Sequence, residues 1–275
     1  MNTTLIHLTD THLLPDGELL HGRIDTWARA MGAFSAAAHF APDAVVVTGD
    51  IADRGSAVHA RAARLFDHAA EQLGCPVIAL PGNHDPAGSV GAAFNPASTA
   101  RGPRPGDTVH DVSGLRVIGL DTDGYAEPEG RLRPEQLDWL MDQLDTPAPR
   151  GTVLAMHHPP IPALLPALAG RGLADPGALA EVLAGSDVHG ILCGHYHLPA
   201  GGRLGSVPVW AGPAVAYNHN PFAPADTVQG LDTSWISVVR VHSAGMTTTP
   251  VPVAAPAAVF TRPAPINTVA PQTAA

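Results

Sequence analysis

The chain has 275 residues, 45% of them apolar and 15% charged, and its formal net charge at neutral pH is −10. This composition excludes a disordered chain and allows a sizeable core. Because every basic residue is arginine, a P-loop and a Schiff-base lysine are excluded, and the acidic balance argues against a nucleic-acid binder.

Short apolar runs alternate with amphipathic stretches, a pattern typical of an α/β domain. The first part of the chain is predicted to hold three strands with two helices between them: Leu5–Thr9, Asp25–Phe40, Ala44–Thr48, Ser56–Leu73 and Val77–Leu80. The second part is predicted to hold a hairpin, a helix with proline in its first turn and four more strands: 109–112 with 115–120, 134–144, 153–156, 188–193, 207–211 and 235–241. Residues 1–250 are expected to form one body, and the Pro- and Ala-rich residues 251–275 a loosely ordered tail.

The cysteines and the N-terminus bear on the compartment. Cys75 and Cys193 lie in apolar surroundings and form no C-x-x-C pair, so we expect buried free thiols, which fits a reducing environment. The N-terminus lacks the pattern of a signal peptide, and no apolar run has the length of a membrane span. The sequence therefore predicts a cytoplasmic protein with no stable membrane association.

Fifteen histidines are unusual for this length, and many fall in polar segments that directly follow predicted strands. Five such segments break the apolar pattern: 10–12, 49–53, 82–85, 157–158 and 194–197. Because ligands bind at the carboxyl ends of strands in α/β sheets, we expect these segments to converge on one rim.

The residue types in these segments indicate a metal site. Imidazole together with carboxylate oxygen suits Zn, Mn, Fe or Ni, whereas the absence of cysteine from these five segments excludes a structural zinc finger. Asp10 and His12, like His195 and His197, can point the same way from an extended strand end. Seven candidate ligands are too many for one four-coordinate ion, but they suit two ions about 3.5–4 Å apart that share a carboxylate. Asp50 is the predicted bridge, because the preceding glycine lets the backbone come close and its two oxygens can each reach one ion.

The order of the motifs resembles a known family. Asp-x-His, Gly-Asp-x-x-Asp, Gly-Asn-His-Asp, a histidine pair before Pro-Pro, and Gly-His-x-His occur here in that order. They resemble the calcineurin-like metallophosphoesterase superfamily and, within it, the bacterial class III cyclic nucleotide phosphodiesterases, over about Leu5 to Val241. Serine/threonine protein phosphatases are less similar, because they open with Gly-Asp-x-His-Gly, and this chain has Thr9 before Asp10 and Leu13 after His12.

The resemblance implies a fold and a ligand set. The fold is a four-layer αββα sandwich, with two mixed β-sheets flanked by helices. The first ion is then held by three residues together with the bridging Asp50, namely Asp10, His12 and His197. The second is held by Asn83, His157 and His195 with the same bridge. The family uses Fe and Mn, and sometimes Zn or other divalent ions.

Residues around the ions are given roles, partly by the resemblance and partly by their own chemistry. Asn83 and His84 face the phosphate, and His84 is the predicted catalytic proton donor to the leaving alkoxide, while water bound by the ions is the attacking group. His158 is either a support for a ligand or a substrate contact. Asp53 and Asp85 orient a loop or a ligand imidazole, or they are plain turn and cap carboxylates.

Other histidines receive simpler interpretations. His7 lies inside the first strand and is expected to be a core histidine. His39, His59 and His68 fall on predicted helices and are expected at the surface. His219, beside Tyr217, is either a substrate contact or part of an ordinary polar loop.

The function implied by the resemblance is hydrolysis of 3′,5′-cyclic nucleotides, with cyclic AMP converted to 5′-AMP. Phosphodiesterase action on glycerophosphodiesters or 2′,3′-cyclic nucleotides is the alternative, since the same two-metal core suits them. An inactive scaffold is disfavoured because the seven candidate ligands and His84 are all present. The expected partner is a small-molecule phosphodiester, and a homodimer is left open.

Overall fold

The computed structural model of the protein describes residues 2–91, 94–122, 129–243 and 245–262. Within these residues the helices are α1 (Thr26–Ala38), α2 (His59–Leu73), α3 (Pro134–Leu144) and α4 (Pro176–Leu183), with a 3₁₀ turn at Pro166–Leu168. The strands are β1 (Thr3–Leu8), β2 (Ala44–Thr48), β3 (Val77–Leu80), β4 (Ala100–Arg101), β5 (Thr108–Val112), β6 (Leu115–Leu120), β7 (Thr152–Met156), β8 (Val188–Cys193), β9 (Ala200–Leu204), β10 (Val207–Ala211), β11 (Asn218–His219), β12 (Gly230–Leu231), β13 (Trp235–His242) and β14 (Gly245–Pro252).

Most of these strands form two mixed sheets. The first has the order β14-β13-β1-β2-β3, and the second has the order β4-β5-β6-β7-β8-β10-β9. Strands β1, β2 and β3 are parallel in the first sheet, and β6, β7, β8 and β10 are parallel in the second. Within each parallel set the carboxyl ends lie at the same edge of the sheet.

The two sheets pack face to face, and their strands alternate between two sides. Leu5 lies between the sheets with Val46, Val117 and Leu192, whereas Ile6, its neighbour in β1, faces the opposite side of the first sheet. This alternation follows from the period of two residues along a β-strand. The contact between the sheets is therefore an apolar core of its own.

Helices cover the outer face of each sheet. Phe34 of α1 and Phe66 of α2 share a cluster with Ile6 of the first sheet. Leu140 of α3 and Leu179 of α4 share another cluster with residues of the second sheet. The layers are therefore helix, sheet, sheet, helix, which confirms the predicted αββα sandwich.

Several predicted boundaries move by a few residues. The first helix begins after Asp25, whose side chain accepts the N–H of Ala28 as an N-cap. The second was predicted from Ser56 but starts at His59, because the Ser56 carbonyl first closes a tight turn with the N–H of His59. The proline at the start of α3 lies in its first turn as predicted.

The last strand crosses the predicted division between body and tail. Strand β14 pairs antiparallel with β13 up to the contact of Trp235 with Pro252, so the predicted tail begins inside a strand. Because β14 contains prolines, its sequence does not predict a strand. Prolines are nevertheless compatible with an edge strand, where half of the backbone N–H groups need no partner. Residues 263–275 lie outside the described residues, so the division at 250 stays a prediction.

Three buried residues match their predictions. Cys75 and Cys193 are buried free thiols. His7 is buried, and its Nε2 lies 2.7 Å from Oγ1 of Thr48 on the neighbouring strand, as expected of a core histidine.

Candidate metal centre

The five polar segments come together at the carboxyl ends of β1, β2, β3, β7 and β8, as the rim prediction expected. One group of ligand atoms, all within 4.8 Å of one another, comes from Asp10, His12, Asp50 and His197. These four residues are separated by up to 187 positions in the sequence and are all buried. Only the folded sheets bring them together.

The backbone reaches this arrangement through an unusual conformation. Five residues of the site have positive φ angles, namely Asp10 (53°), His12 (44°), Asp50 (48°), His195 (71°) and His197 (47°). The prediction that the Asp-x-His and His-x-His pairs project from extended strand ends is therefore wrong. Non-glycine residues in this region cost on the order of 1–2 kcal/mol each, and such strain is concentrated at functional sites.

The first donor set is Asp10, His12, Asp50 and His197. His12 Nε2 lies 3.1 Å from His197 Nε2 and 3.6 Å from Asp50 Oδ2, and His197 Nε2 lies 3.2 Å from Asp10 Oδ1. Four donors at about 2.1 Å from one ion are about 3.4 Å apart in a tetrahedron, so the observed spacing fits a metal. His197 Nδ1 donates to the carbonyl of Tyr217 at 2.9 Å, which leaves the lone pair of Nε2 directed at the other donors.

The second donor set is Asp50, Asn83, His157 and His195. His157 Nε2 lies 3.1 Å from Asn83 Oδ1, 3.2 Å from His195 Nδ1 and 3.4 Å from Asp50 Oδ2. His157 Nδ1 donates to the carbonyl of Thr48 at 2.7 Å, so its Nε2 also presents a lone pair. These donors have the same spacing as the first set and fit a second ion.

Asp50 belongs to both sets through a single oxygen. Its Oδ2 faces His12 and His157, while its Oδ1 accepts the backbone N–H of His84 at 2.9 Å. Because a carboxylate oxygen that accepts one N–H keeps a second lone pair, the expectation that each oxygen reaches one ion stays a prediction. Burial opposes ionisation of Asp50, but attraction to the imidazoles of His157 and His12 outweighs it and holds the pKa of this carboxyl well below its usual range.

Glycines in the motifs make room for the ligands. A Cβ on Gly49 would lie 2.6 Å from His157 Nδ1, and one on Gly82 would lie 2.3 Å from Asp50 Oδ1. A Cβ on Gly194 would lie 1.9 Å from Oγ1 of Thr9. The close approach expected of the glycine before Asp50 is therefore present, and two further motif glycines serve the same purpose.

Asp85 ties two loops of the site together. Its carboxylate accepts the backbone N–H groups of Ile51 and Ala52 at 3.0 Å and of Gly82 at 2.9 Å, and it lies 2.8 Å from His59 Nε2. His59 is 5% exposed, so its predicted surface position is wrong. The sequence carries no signal for this pairing, because His59 lies on a helix 26 residues before its partner.

Asp53 and His84 lie beside the first donor set. Asp53 Oδ1 is 3.2 Å from His12 Nδ1, the ring nitrogen that faces away from the other donors. His84 Nδ1 donates to the carbonyl of Asp53 at 2.5 Å, and the His84 ring meets the His12 ring edge-on at 4.9 Å. Among the described residues, His84 Nε2 has no hydrogen-bond partner, so it is available to another group.

His158 and His219 pack against two of the ligand candidates, His195 and His197. His158 is 1% exposed, its Nδ1 lies 2.7 Å from Thr122 Oγ1, and its ring lies 4.6 Å from that of His195. His219 donates from Nδ1 to the carbonyl of Tyr196 at 3.0 Å, and its ring stacks on His197 at 5.2 Å. These contacts favour support of a ligand, and the substrate contacts predicted for both stay predictions.

Comparison with known proteins decides the family. A model of the calcineurin-like phosphoesterase family matches residues 3–199. The chain belongs to the calcineurin-like phosphoesterase family. This confirms the family resemblance and the prediction of an enzyme, and with the two donor sets it makes the chain a metal-dependent phosphoesterase.

Three relatives are similar over most of their length. The chain is 37% identical to a cAMP/cGMP dual specificity phosphodiesterase of Mycobacterium tuberculosis over 232 residues, 83% of this chain and 72% of that protein. It is 30% identical to the 3′,5′-cyclic adenosine monophosphate phosphodiesterase CpdA of Escherichia coli K12 over 255 residues, 90% of this chain and 88% of that one. It is also 30% identical to the glycerophosphodiester phosphodiesterase GpdQ of Enterobacter lignolyticus over 204 residues, 70% of each chain.

Among the described residues no helix is long and apolar enough to span a bilayer.

Proposed function

We propose that this protein is a dinuclear phosphodiesterase that hydrolyses 3′,5′-cyclic nucleotides, converting cyclic AMP to 5′-AMP. The observation that carries the proposal is the shared oxygen of Asp50, which faces two donor sets at metal-ligand spacing. The substrate class comes from the relatives, two of which are named for cyclic nucleotides. Iron and manganese are the proposed pair, with zinc or another divalent ion as a substitute.

Seven side chains would hold the ions. Asp50 would be shared, one ion would be completed by Asp10, His12 and His197, and the other by Asn83, His157 and His195. When bound, such ions neutralise the phosphodiester and acidify the water that attacks phosphorus. Two of the seven ligands are carboxylates and the rest are neutral, so the loaded site would stay cationic in an acidic protein.

His84 supplies the proton in this proposal. When the ring is protonated on both nitrogens, its Nδ1 donates to the carbonyl of Asp53, so Nε2 carries the proton that can be delivered. As water attacks phosphorus, the bond from phosphorus to the 3′ oxygen breaks, and the proton on Nε2 passes to that oxygen. The product keeps its phosphate on the 5′ oxygen, the attacking water releases one proton to solvent, and His84 regains one proton from solvent, so the proton count closes.

A glycerophosphodiester substrate is the second candidate, because the chain is also similar to GpdQ. The same donor sets would bind its phosphate, so the metal centre does not discriminate between the candidates. The choice depends on which groups of the protein contact the alcohol that the phosphate carries.

A hydrolysis panel tests the proposal. Protein loaded with Mn and Fe would be assayed on cyclic AMP, cyclic GMP, 2′,3′-cyclic AMP, glycerophosphocholine and bis-p-nitrophenyl phosphate. We expect the highest kcat/KM among the natural esters for a 3′,5′-cyclic nucleotide, and no activity for the Asp50→Asn variant, which controls for contaminating enzymes. Preference for glycerophosphocholine would favour the second candidate, and activity on the artificial ester alone would refute both.

A further inference from the structure

A cavity of about 490 Å³ opens beside the metal centre. Tyr217, His21 and Arg23 line it together with the apolar side chains of Val228 and Leu231. None of these residues belongs to either donor set. The cavity is therefore separate from the reacting atoms and available to another part of a substrate.

Tyr217 connects this cavity to the metal centre. Its ring lies 4.4 Å from the ring of His197 and 6.1 Å from the ring of His12, both in the first donor set. Its carbonyl accepts the Nδ1 hydrogen of His197 at 2.9 Å. A ligand whose phosphate lies at the metal centre would therefore extend into the cavity across a single aromatic ring.

A tight turn before α1 forms one wall. Leu20 and Ile24 exchange backbone hydrogen bonds of 2.9 and 3.0 Å. Two residues of the turn between them have positive φ angles, His21 (52°) and Gly22 (68°). The turn directs the ring of His21 edge-on against Tyr217 at 5.2 Å. The exposed ring of His21 thus contacts Tyr217 beside the site.

The opposite wall is the ribbon of β11 and β12. Gly230 of this ribbon approaches Tyr217 so closely that a Cβ there would lie 3.0 Å from its ring. Val228 and Leu231 are 56% and 38% exposed, so they offer apolar surface to a ligand. Arg23 is exposed and makes no ion pair with any described residue.

These walls have the chemistry of a planar heterocycle site. Aromatic faces and apolar side chains stack on a base, and a free guanidinium can stack on it or donate to its ring nitrogens. Glycerol or choline offers no such face. We infer that this cavity binds the purine base of the nucleotide, with His21, Tyr217 and Leu231 as the residues that set specificity; the inference rests on the proposed function.

Inhibition by two product analogues tests this inference. Hydrolysis of bis-p-nitrophenyl phosphate would be inhibited by 5′-AMP, which carries a base, and by inorganic phosphate, which does not. For His21→Ala and Leu231→Asp we expect the inhibition constant of 5′-AMP to rise about fivefold or more, while that of inorganic phosphate stays the same. Each constant is calculated with the variant's own KM, and His68→Ala, an exposed histidine on α2, is the matched control.

The outcomes separate this inference from the proposed function. If the inhibition constants of both inhibitors rise together, the variants disturb the metal centre. If neither constant rises, the base lies elsewhere. Either result overturns the inference. If wild-type protein hydrolyses no cyclic nucleotide but 5′-AMP still binds through His21, the base site stands and the proposed function fails. If cyclic AMP is hydrolysed and His21→Ala has no effect, only the inference fails.

Discussion

The carboxylate of Asp85 lies beside the metal centre and joins two of its loops. It accepts three backbone N–H groups and lies within hydrogen-bond distance of His59 Nε2. Two of the N–H groups belong to the loop that carries Asp50, and the third belongs to the loop that carries Asn83. Asp85→Asn is therefore expected to weaken both loops without removing a predicted metal ligand.

The magnitude follows from the number of acceptors lost. An asparagine keeps one oxygen and replaces the other with an amide NH₂, so two of the four donors lose their acceptor and face a donor instead. Hydrogen bonds to charged groups contribute about 1.5–3 kcal/mol each, so the loss of two gives about 3–6 kcal/mol in the free energy of unfolding. Because domains are stable by about 5–15 kcal/mol, this is a large fraction of the total.

Urea unfolding of metal-free protein measures this loss, and metal content after reconstitution reports the effect on the site. Asp67→Asn makes the same change on the exposed face of α2 and is expected to leave both quantities unchanged. A loss below about 1 kcal/mol in Asp85→Asn, or full metal content with wild-type activity, would refute the view that this carboxylate holds the two loops together.

Three further variants test other parts of the account. His84→Ala is expected to lower kcat by about 10²–10⁴-fold while the protein keeps its metal content; loss of the ions instead would contradict its role as a proton donor. Asp53→Asn is expected to weaken binding of the first ion by about 10–100-fold in a metal titration, because Asp53 faces Nδ1 of His12; an unchanged titration would contradict this. Burial and the nearby charge of Arg101 lower the pKa of His110 to about 4. On acidification His110 therefore takes up its proton in the unfolded chain before it does so in the folded protein. The free energy of unfolding of the wild-type protein accordingly falls as the pH drops from about 6.5 towards 4. His110→Leu removes this loss. The difference in free energy of unfolding between this variant and the wild type, measured in urea, is expected to favour the variant by about 1–2 kcal/mol more at pH 5 than at pH 8; an equal difference at both pH values would contradict the assignment.

The sequence predicted the central strands because burial on both faces makes them continuous apolar runs. Strands β1, β2, β3, β7 and β8 carry this signal, and all were found within two residues of their observed bounds. The edge strands carry no such signal. Strand β14 contains two prolines and β9 two glycines, and their pairing depends on the neighbouring strand more than on their own residues.

The site could be predicted to the level of residues but not of atoms. Each candidate ligand follows a strand that the apolar pattern identifies, so the convergence of Asp10, Asp50 and His157 was foreseeable from topology. The positive φ angles were not, because non-glycine residues adopt them only where tertiary contacts compensate the strain. The burial of His59 was missed for a related reason, since its partner lies on a distant loop.

Metal stoichiometry tests the central claim most directly. Purified protein would be reconstituted with Mn and Fe, freed of excess ions, and measured by elemental analysis alongside Asp50→Asn. Because one oxygen of Asp50 faces both donor sets, we predict two ions per chain in the wild-type protein and the loss of both in the variant. A single ion per wild-type chain, or two ions retained by Asp50→Asn, would contradict the account.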